Sequence, residues 1–104
     1  MTTIAPSRQT EIAAAEASVF LRVLAHPARL KIVCHLAEGE ASVSALETAL
    51  GLPQPGLSQQ IATLRASGLI AARRAGKQVF YRLSDARARP FVAAIRALFG
   101  GAGH

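Results

Sequence analysis

Six side chains that can hydrogen-bond to nucleic-acid bases lie close together in the middle of the sequence. They are Gln54, Ser58, Gln59, Gln60, Thr63 and Arg65. Glutamine and arginine can pair with base edges in the major groove of DNA, and serine or threonine can bond a base or a phosphate. Among them, Leu57, Ile61 and Leu64 recur at intervals of four and three residues, the spacing of one buried helix face. The pattern predicts a helix that begins at Gln54, buries this stripe and presents the polar side chains outward.

A shorter helix precedes this one. Ser42 is a candidate N-cap, and Val43, Leu46 and Leu50 follow at helical spacing before Gly51 ends the helix. Two short helices joined by a tight turn, the second with a polar outer face, are typical of a helix-turn-helix that binds DNA. The alternative is an ordinary surface helix with glutamines on its solvent face, although such helices more often carry pairs of Glu and Lys.

The basic side chains are concentrated in the second part of the chain. The 104 residues carry a net charge of +6, with four basic and five acidic side chains in residues 1–57, and eight basic and one acidic in residues 58–104. The two parts therefore have net charges of −1 and +7. This asymmetry favours a polyanionic partner, because phosphate contacts and counterion release supply most non-specific affinity for nucleic acid. An acidic lipid surface fits less well, since the basic residues do not follow one apolar-backed helix.

Residues 69–83 predict a β-hairpin, with two β-prone segments on either side of Ala75 and Gly76. In the second segment, Val79, Tyr81 and Leu83 alternate with Gln78, Phe80 and Arg82. One face should therefore pack and the other should meet solvent. The tip carries the polar and basic residues Arg73, Arg74, Lys77 and Gln78. Charged turns are often only solvated, but next to a recognition helix such a hairpin is expected to contact the DNA backbone or minor groove.

Three more helices are predicted, over residues 11–25 with Thr10 as the N-cap, from Pro27 to just before Gly39, and over residues 86–99. The first and last have apolar stripes that could form a two-fold dimer interface, or could pack within one subunit instead. The candidate interface residues are Val19, Val23, Phe91, Ile95 and Leu98.

The predicted fold is mainly α with a small β-hairpin, in the order α-α-α-α-β-β-α. We expect residues 1–10 to form a disordered N-terminal arm and residues 100–104 a flexible tail. Residues 11–99 would form a single domain for DNA binding and dimerisation, a size at which dimerisation helps a modest core.

Several protein classes do not fit this sequence. One cysteine cannot form an internal disulfide, and no Cys/His cluster has zinc-finger spacing. No run approaches the ~18 apolar residues of a membrane span, and no signal segment begins the chain, so we expect a cytoplasmic protein without a membrane partner. The sequence suggests no nucleophile with a base, no acidic pair and no phosphate-binding loop, so we expect neither an enzyme nor a cofactor.

Over nearly its whole length, the chain resembles the winged-helix repressors of the ArsR family. LAHPARLKIVCHLAEGE is similar to the family's second helix, GLPQPGLSQQIATLRASGLI to its recognition helix and RRAGKQVFYRL to its wing. The resemblance implies a winged helix-turn-helix homodimer that binds double-stranded DNA at a palindromic operator near its own promoter and releases it on sensing an inducer. Pro53 departs from the family pattern, which usually has a Ser or Thr there to cap the recognition helix.

The family's metal sensors carry a pair of cysteines at the start of the third helix, or His and Asp ligands on the last helix. The corresponding stretches here are EASVSALE and DARARPFV. Asp85 alone, with three histidines scattered over other elements, cannot complete a transition-metal site. We therefore expect no metal.

Cys34, in KIVCHL, matches the second-helix cysteine of the family's sulfide- and redox-responsive branch, the BigR, SqrR and HlyU type. That branch pairs it with a cysteine near the end of the last helix, where this sequence has Gly100. What remains is a single thiol that could be oxidised or persulfidated. The alternative is that Cys34 is a small buried apolar residue.

The predicted function is a DNA-binding transcriptional repressor that is released when Cys34 is oxidised or persulfidated. Two alternatives stay open: a winged-helix repressor that senses neither metal nor redox state, and a winged-helix module that binds protein. Large exposed apolar residues over positions 54–63 would favour a protein partner, whereas the glutamines and serine found there favour DNA bases.

Overall fold

A computed structural model describes residue 5 and residues 7–100, which form five helices and one three-stranded sheet. The helices are α1 (Arg8–Leu24), α2 (Pro27–Leu36), α3 (Val43–Leu50), α4 (Gly56–Ala66) and α5 (Ala88–Phe99). The strands are β1 (Ala41–Ser42), β2 (Ile70–Ala75) and β3 (Gln78–Leu83). The predicted winged helix-turn-helix is confirmed, with α3 and α4 as the helix-turn-helix and β2 and β3 as the wing. Strand β1 was not predicted.

The sheet has the antiparallel order β1-β3-β2. Gly76 has a φ of +62° in the hairpin turn, a conformation that glycine adopts without steric cost. The predicted alternation holds at Tyr81, which is buried, and at Gln78 and Arg82, which are exposed. Phe80 departs from it, because it is half-buried like Val79 and Leu83, with the Arg73 guanidinium over its ring. Strand β1 pairs Ala41 with Tyr81 and thereby connects the start of the helix-turn-helix to the wing.

The core surrounds α2, which contacts α1, α3, α4, α5 and β3. Its side chains Ile32, Val33 and Leu36 have no exposed surface. The other buried apolar residues are Leu24, Ala41, Leu46, Leu57, Ile61, Leu64, Leu69, Ile70, Tyr81, Ala88 and Val92. The stripe predicted for the recognition helix is therefore confirmed as its core-facing side.

The first helix begins three residues earlier than predicted. Ser7, and not Thr10, is its N-cap, because the Ser7 hydroxyl accepts a hydrogen bond from the backbone N–H of Thr10 at 3.0 Å. The boundary of the predicted N-terminal arm was therefore wrong over residues 8–10, which are helical. Residues 1–4 and 6 of that arm, and residues 101–104 of the predicted tail, lie outside the described residues.

Helix α4 begins at Gly56, two residues later than predicted. Gln54 precedes Pro55, and a proline disfavours the helical conformation at the residue before it. The side chain of Gln54 nevertheless acts on the helix, because its Oε1 accepts a hydrogen bond from the backbone N–H of Ser58 at 3.2 Å. Gln54 thus provides a cap that the N-cap position itself lacks. At the other end of the chain, α5 also starts two residues late, at Ala88.

Candidate nucleic-acid interface

The outer face of α4 is polar, small and exposed. Ser58, Gln59, Thr63 and Arg65 are exposed, as are Ala62 and Ala66 between them. The opposite stripe has at most 3% of its surface exposed. The core therefore holds one side of α4, and the other side carries polar or small side chains and no large apolar one.

Two hydroxyl groups on this face form hydrogen bonds to nearby groups of the same segment. The Ser58 hydroxyl donates a short hydrogen bond to Gln54 Oε1, and the Thr63 hydroxyl donates to the backbone carbonyl of Gln59 at 3.2 Å. Within residues 7–100, the amide of Gln59 forms no side-chain hydrogen bond. The side-chain amide of Gln59 can therefore hydrogen-bond to a partner without first breaking a contact within the subunit.

The structure separates Gln60 from the other predicted DNA contacts. Gln60 lies beside the buried stripe and is half-buried. Its Oε1 accepts a hydrogen bond from Nε of Arg29 at 2.8 Å. The sequence pattern predicts an outward Gln60, but the fold instead bonds its side-chain amide to Arg29 of α2. Sequence could not reveal this pair, because 31 positions separate the two residues.

The wing residues fall on two faces of the hairpin. Arg73 is opposite Phe80, and Arg74 is opposite Val79, so the two neighbouring arginines point to opposite faces. The Arg73 guanidinium donates two hydrogen bonds to the carboxylate of Glu40, at 3.0 and 2.5 Å, and its carbon lies 5.0 Å from the Phe80 ring centre. The Arg73 side chain is therefore already engaged in contacts within the subunit.

Three other polar or basic residues of the wing are exposed near the turn: Arg74, Lys77 and Gln78. Over the described part of the chain, neither Arg74 nor Lys77 forms a salt bridge. These two cations can reach a phosphate without first losing an intramolecular partner. The hydrogen bonds from Arg73 also lower the pKa of the Glu40 carboxyl, so Glu40 stays charged and keeps Arg73 engaged.

Cys34 is half-buried on α2, close to an arginine of α5. Arg96 donates to the backbone carbonyl of Cys34 at 3.0 Å and to the carboxylate of Glu38 at 3.1 Å. Burial raises the pKa of the Cys34 thiol, and the charge of Arg96 opposes part of that rise. Arg89 donates a further short hydrogen bond to the carbonyl of Ala37. Two α5 arginines thus satisfy carbonyls at the C-terminal end of α2.

In the segment from residue 7 to residue 100, no three His, Cys, Asp or Glu side chains come close enough to hold a metal ion. Nor does that segment contain a helix of the length and apolar character needed to cross a bilayer.

The residues predicted for the dimer interface differ in their exposure. Val19 is 61% and Leu98 75% exposed, and both lie on helices that also expose Ile12, Leu21 and Phe99. Val23, Phe91 and Ile95 are half-buried within the subunit. Phe91 packs edge-on against Phe20, with ring centres 5.2 Å apart. This contact connects α5 to α1.

Comparison with known proteins identifies relatives over nearly the whole chain. Residues 26–72 match the family model described as "Bacterial regulatory protein, arsR family". The biofilm growth-associated repressor of Agrobacterium fabrum is 46% identical over 94 residues, which cover 90% of this chain and 80% of that protein. Both findings concern the segment that contains the predicted recognition helix.

Solved structures agree with this similarity. The crystal structure of the transcriptional repressor BigR from Xylella fastidiosa superposes with a TM-score of 0.85 at 46% identity, covering 90% of this chain and 97% of that one. A homodimeric winged helix-turn-helix DNA-binding domain from Mycobacterium bovis, a possible ArsR-family regulator, gives a TM-score of 0.72 at 27% identity, with 92% and 89% covered. The resemblance to the ArsR family and to its BigR branch is confirmed.

The ion pair between Glu40 and Arg73 should be visible in the titration of the Glu40 carboxyl group. Because the pKa of Glu40 is lowered, its ion pair is fully formed above the ordinary pKa of glutamate and is lost as the pH falls through the lowered value. Following the Glu40 carboxyl carbon by NMR, we expect the midpoint to rise in Arg73→Gln. Arg74→Gln is the matched control and should leave it low. Equal midpoints in the wild type and Arg73→Gln would show that the pair does not form in solution.

Proposed function

This chain belongs to the ArsR family of bacterial regulatory proteins, and we propose that it represses transcription by binding a palindromic operator as a homodimer. In each subunit α4 enters the major groove, and the wing contacts the adjacent backbone or minor groove. The two recognition helices then occupy half-sites about one helical turn, ~34 Å, apart.

The outer face of α4 is the observation that carries this proposal. Gln59 is exposed and available, and its neighbours Ala62 and Ala66 are small enough to let the helix approach base edges closely. A protein-binding module would require large apolar side chains on this face. Among the described residues, the large exposed apolar side chains lie instead on α1 and α5.

Those apolar side chains support a dimer formed through α1 and α5. Leu98, Phe99 and Val19 each have more than 60% of their surface exposed in the single subunit, and exposed apolar area of this kind favours association. The Mycobacterium bovis relative is described as homodimeric. A two-fold axis through these helices would present two α4 helices to successive turns of a duplex.

Gln59 and Arg74 should affect DNA binding in different ways. Gln59→Ala should relax the base preference at one operator position by ~1–3 kcal/mol, because it removes a contact to a base edge. Arg74→Ala should weaken binding to all sequences alike and reduce the salt dependence, because it removes a phosphate contact. Mobility-shift titrations on an operator selected from random DNA measure both effects. If neither change alters binding, the assignment of helix and wing is wrong.

Leu98→Asp should abolish the dimer without unfolding the subunit. The side chain is 75% exposed in the single chain, so the added charge would be buried only in the dimer, where an unpaired charge costs several kcal/mol. Analytical ultracentrifugation should find a monomer with an unchanged circular dichroism spectrum. Thr48→Asp, at an exposed position of α3, is the control and should stay dimeric. A dimeric Leu98→Asp protein would place the interface elsewhere.

We further propose that the repressor is released when Cys34 is modified as a lone thiol. The thiolate attacks the outer sulfur of a low-molecular-weight persulfide, forming the Cys34 persulfide and expelling the donor's thiolate. With a peroxide, the thiolate instead becomes a sulfenic acid and hydroxide leaves. The position of Cys34 supports this proposal, because it is half-buried on α2 beside the positive charge of Arg96. Added atoms there would disturb the packing between α2 and α5.

The raised pKa of Cys34 adds a pH dependence to this reaction. Burial keeps more of the thiol protonated at neutral pH, so modification should accelerate as the pH rises above 7. We expect a persulfide donor or peroxide to weaken operator binding of the wild type and to leave Cys34→Ser unchanged. Equal loss of affinity in both proteins, or no loss in either, would make Cys34 a packing residue.

A further inference from the structure

A single guanidinium joins three elements near the end of α1. Arg29, in the first turn of α2, donates from Nε to Oε1 of Gln60 at 2.8 Å, and from Nη1 to the backbone carbonyl of Val23 at 3.0 Å. Val23 belongs to the last turn of α1, where helix carbonyls have no partner within their own helix. Gln60 lies on α4, so the same side chain bonds the first helix and the recognition helix.

We propose that Arg29 is a positioning residue for DNA binding, because it fixes the orientation of α4 relative to α1. The inference rests on the proposed function, in which α1 contributes to the dimer and α4 contacts the bases. In such a dimer, the angle between α1 and α4 sets the separation of the two recognition helices. Arg29 therefore acts on operator selection through Gln60, without touching DNA.

The directionality of hydrogen bonds is the reason to assign this role to Arg29. Helices α1 and α4 both pack against α2, and apolar packing alone is non-directional. The guanidinium is planar and places its donors in a rigid fork, so two bonds to two helices define an angle. Arg29 is also half-buried, which shields both bonds from competing water. A lysine has a single ammonium and cannot reproduce this geometry.

The alternative role for Arg29 is a direct phosphate contact, and salt dependence separates the two. Loss of one phosphate contact lowers the slope of log affinity against log salt by about 0.9, whereas loss of a positioning residue leaves the slope unchanged. Both roles predict weaker binding, so affinity alone does not distinguish them.

The direct experiment measures a distance between α1 and α4, which changes with the angle between them, within one subunit of the full chain. Spin labels are attached through Glu11→Cys on α1 and Ala66→Cys on α4, both exposed positions, in a Cys34→Ser background. Excess unlabelled chain limits each dimer to one labelled subunit. We expect double electron–electron resonance to give a narrow distance distribution for the parent and a broader, shifted one for Arg29→Met. Arg22→Met changes an exposed arginine in the last turn of α1 and should reproduce the parent.

The second measurement is operator affinity with its salt slope. For Arg29→Met we expect specific affinity to fall by about tenfold, non-specific affinity to change by less than about threefold, and the slope to stay constant. Gln60→Met removes only the α4 end of the link and should cause most of the same loss. The double variant should lose little more specific affinity than Arg29→Met alone, because Arg29→Met already removes the bond to Gln60. If Arg29→Met does not fold, Gln60→Met and Arg29→Lys provide the same tests.

Two results would overturn the proposal. One is a parent-like distance distribution for both Arg29→Met and Gln60→Met. The other is a loss of affinity for Arg29→Met that comes with a lower salt slope, which would assign Arg29 to a phosphate. Failure of the proposed function is separate, since it would show as a monomeric or non-binding wild type. The distance within the subunit reports on Arg29 in that case too.

Discussion

The burial of α2 is the constraint on which the rest of the structure depends. Three of its side chains, Ile32, Val33 and Leu36, are completely buried, and every other helix and the middle strand pack against it. Side chains fix its two ends. At the N-terminus, Nδ1 of His26 accepts a hydrogen bond from the backbone N–H of Ala28 at 3.2 Å. At the C-terminus, Arg89 and Arg96 of α5 bond the last carbonyls. The recognition helix and the apolar terminal helices are thus positioned by one buried element.

The fold divides its polar side chains into those that hold the structure and those that remain available. Gln60 is bonded to Arg29 and Arg73 to Glu40, whereas Gln59 and Arg74 have no such partner among residues 7–100. Chemically identical residues one position apart therefore have different roles. Ordering the supporting residues before DNA arrives reduces the conformational entropy lost on binding, so that more of the contact energy contributes to affinity.

The periodic features of the sequence predicted most of this fold. Repeats of apolar residues indicate local geometry, and the structure buries the residues that they mark. Examples are the helical stripe of Leu57, Ile61 and Leu64, and Tyr81 in the last strand. Helix ends were less predictable, since Ser7 and Thr10 are both acceptable caps and only the folded backbone selects between them. Pairs distant in sequence could not be predicted at all. Arg29 and Gln60 are 31 positions apart, and Glu40 and Arg73 are 33 apart, and no local pattern encodes either contact.

The ion pairs also refine the charge argument drawn from the sequence. Residues 58–104 contain eight basic side chains, but Arg73, Arg87 and Arg96 each form a salt bridge, with Glu40, Asp85 and Glu38. The basic residues of this part that form no salt bridge within the described chain are Arg65, Arg74, Lys77, Arg82 and Arg89. All but Arg89 lie on α4 or the wing. The acidic side chains therefore neutralise cations at places that support the fold, and the remaining positive charge is concentrated on α4 and the wing. In the proposed function, that distribution, more than the net charge of +6, is what directs DNA to α4 and the wing.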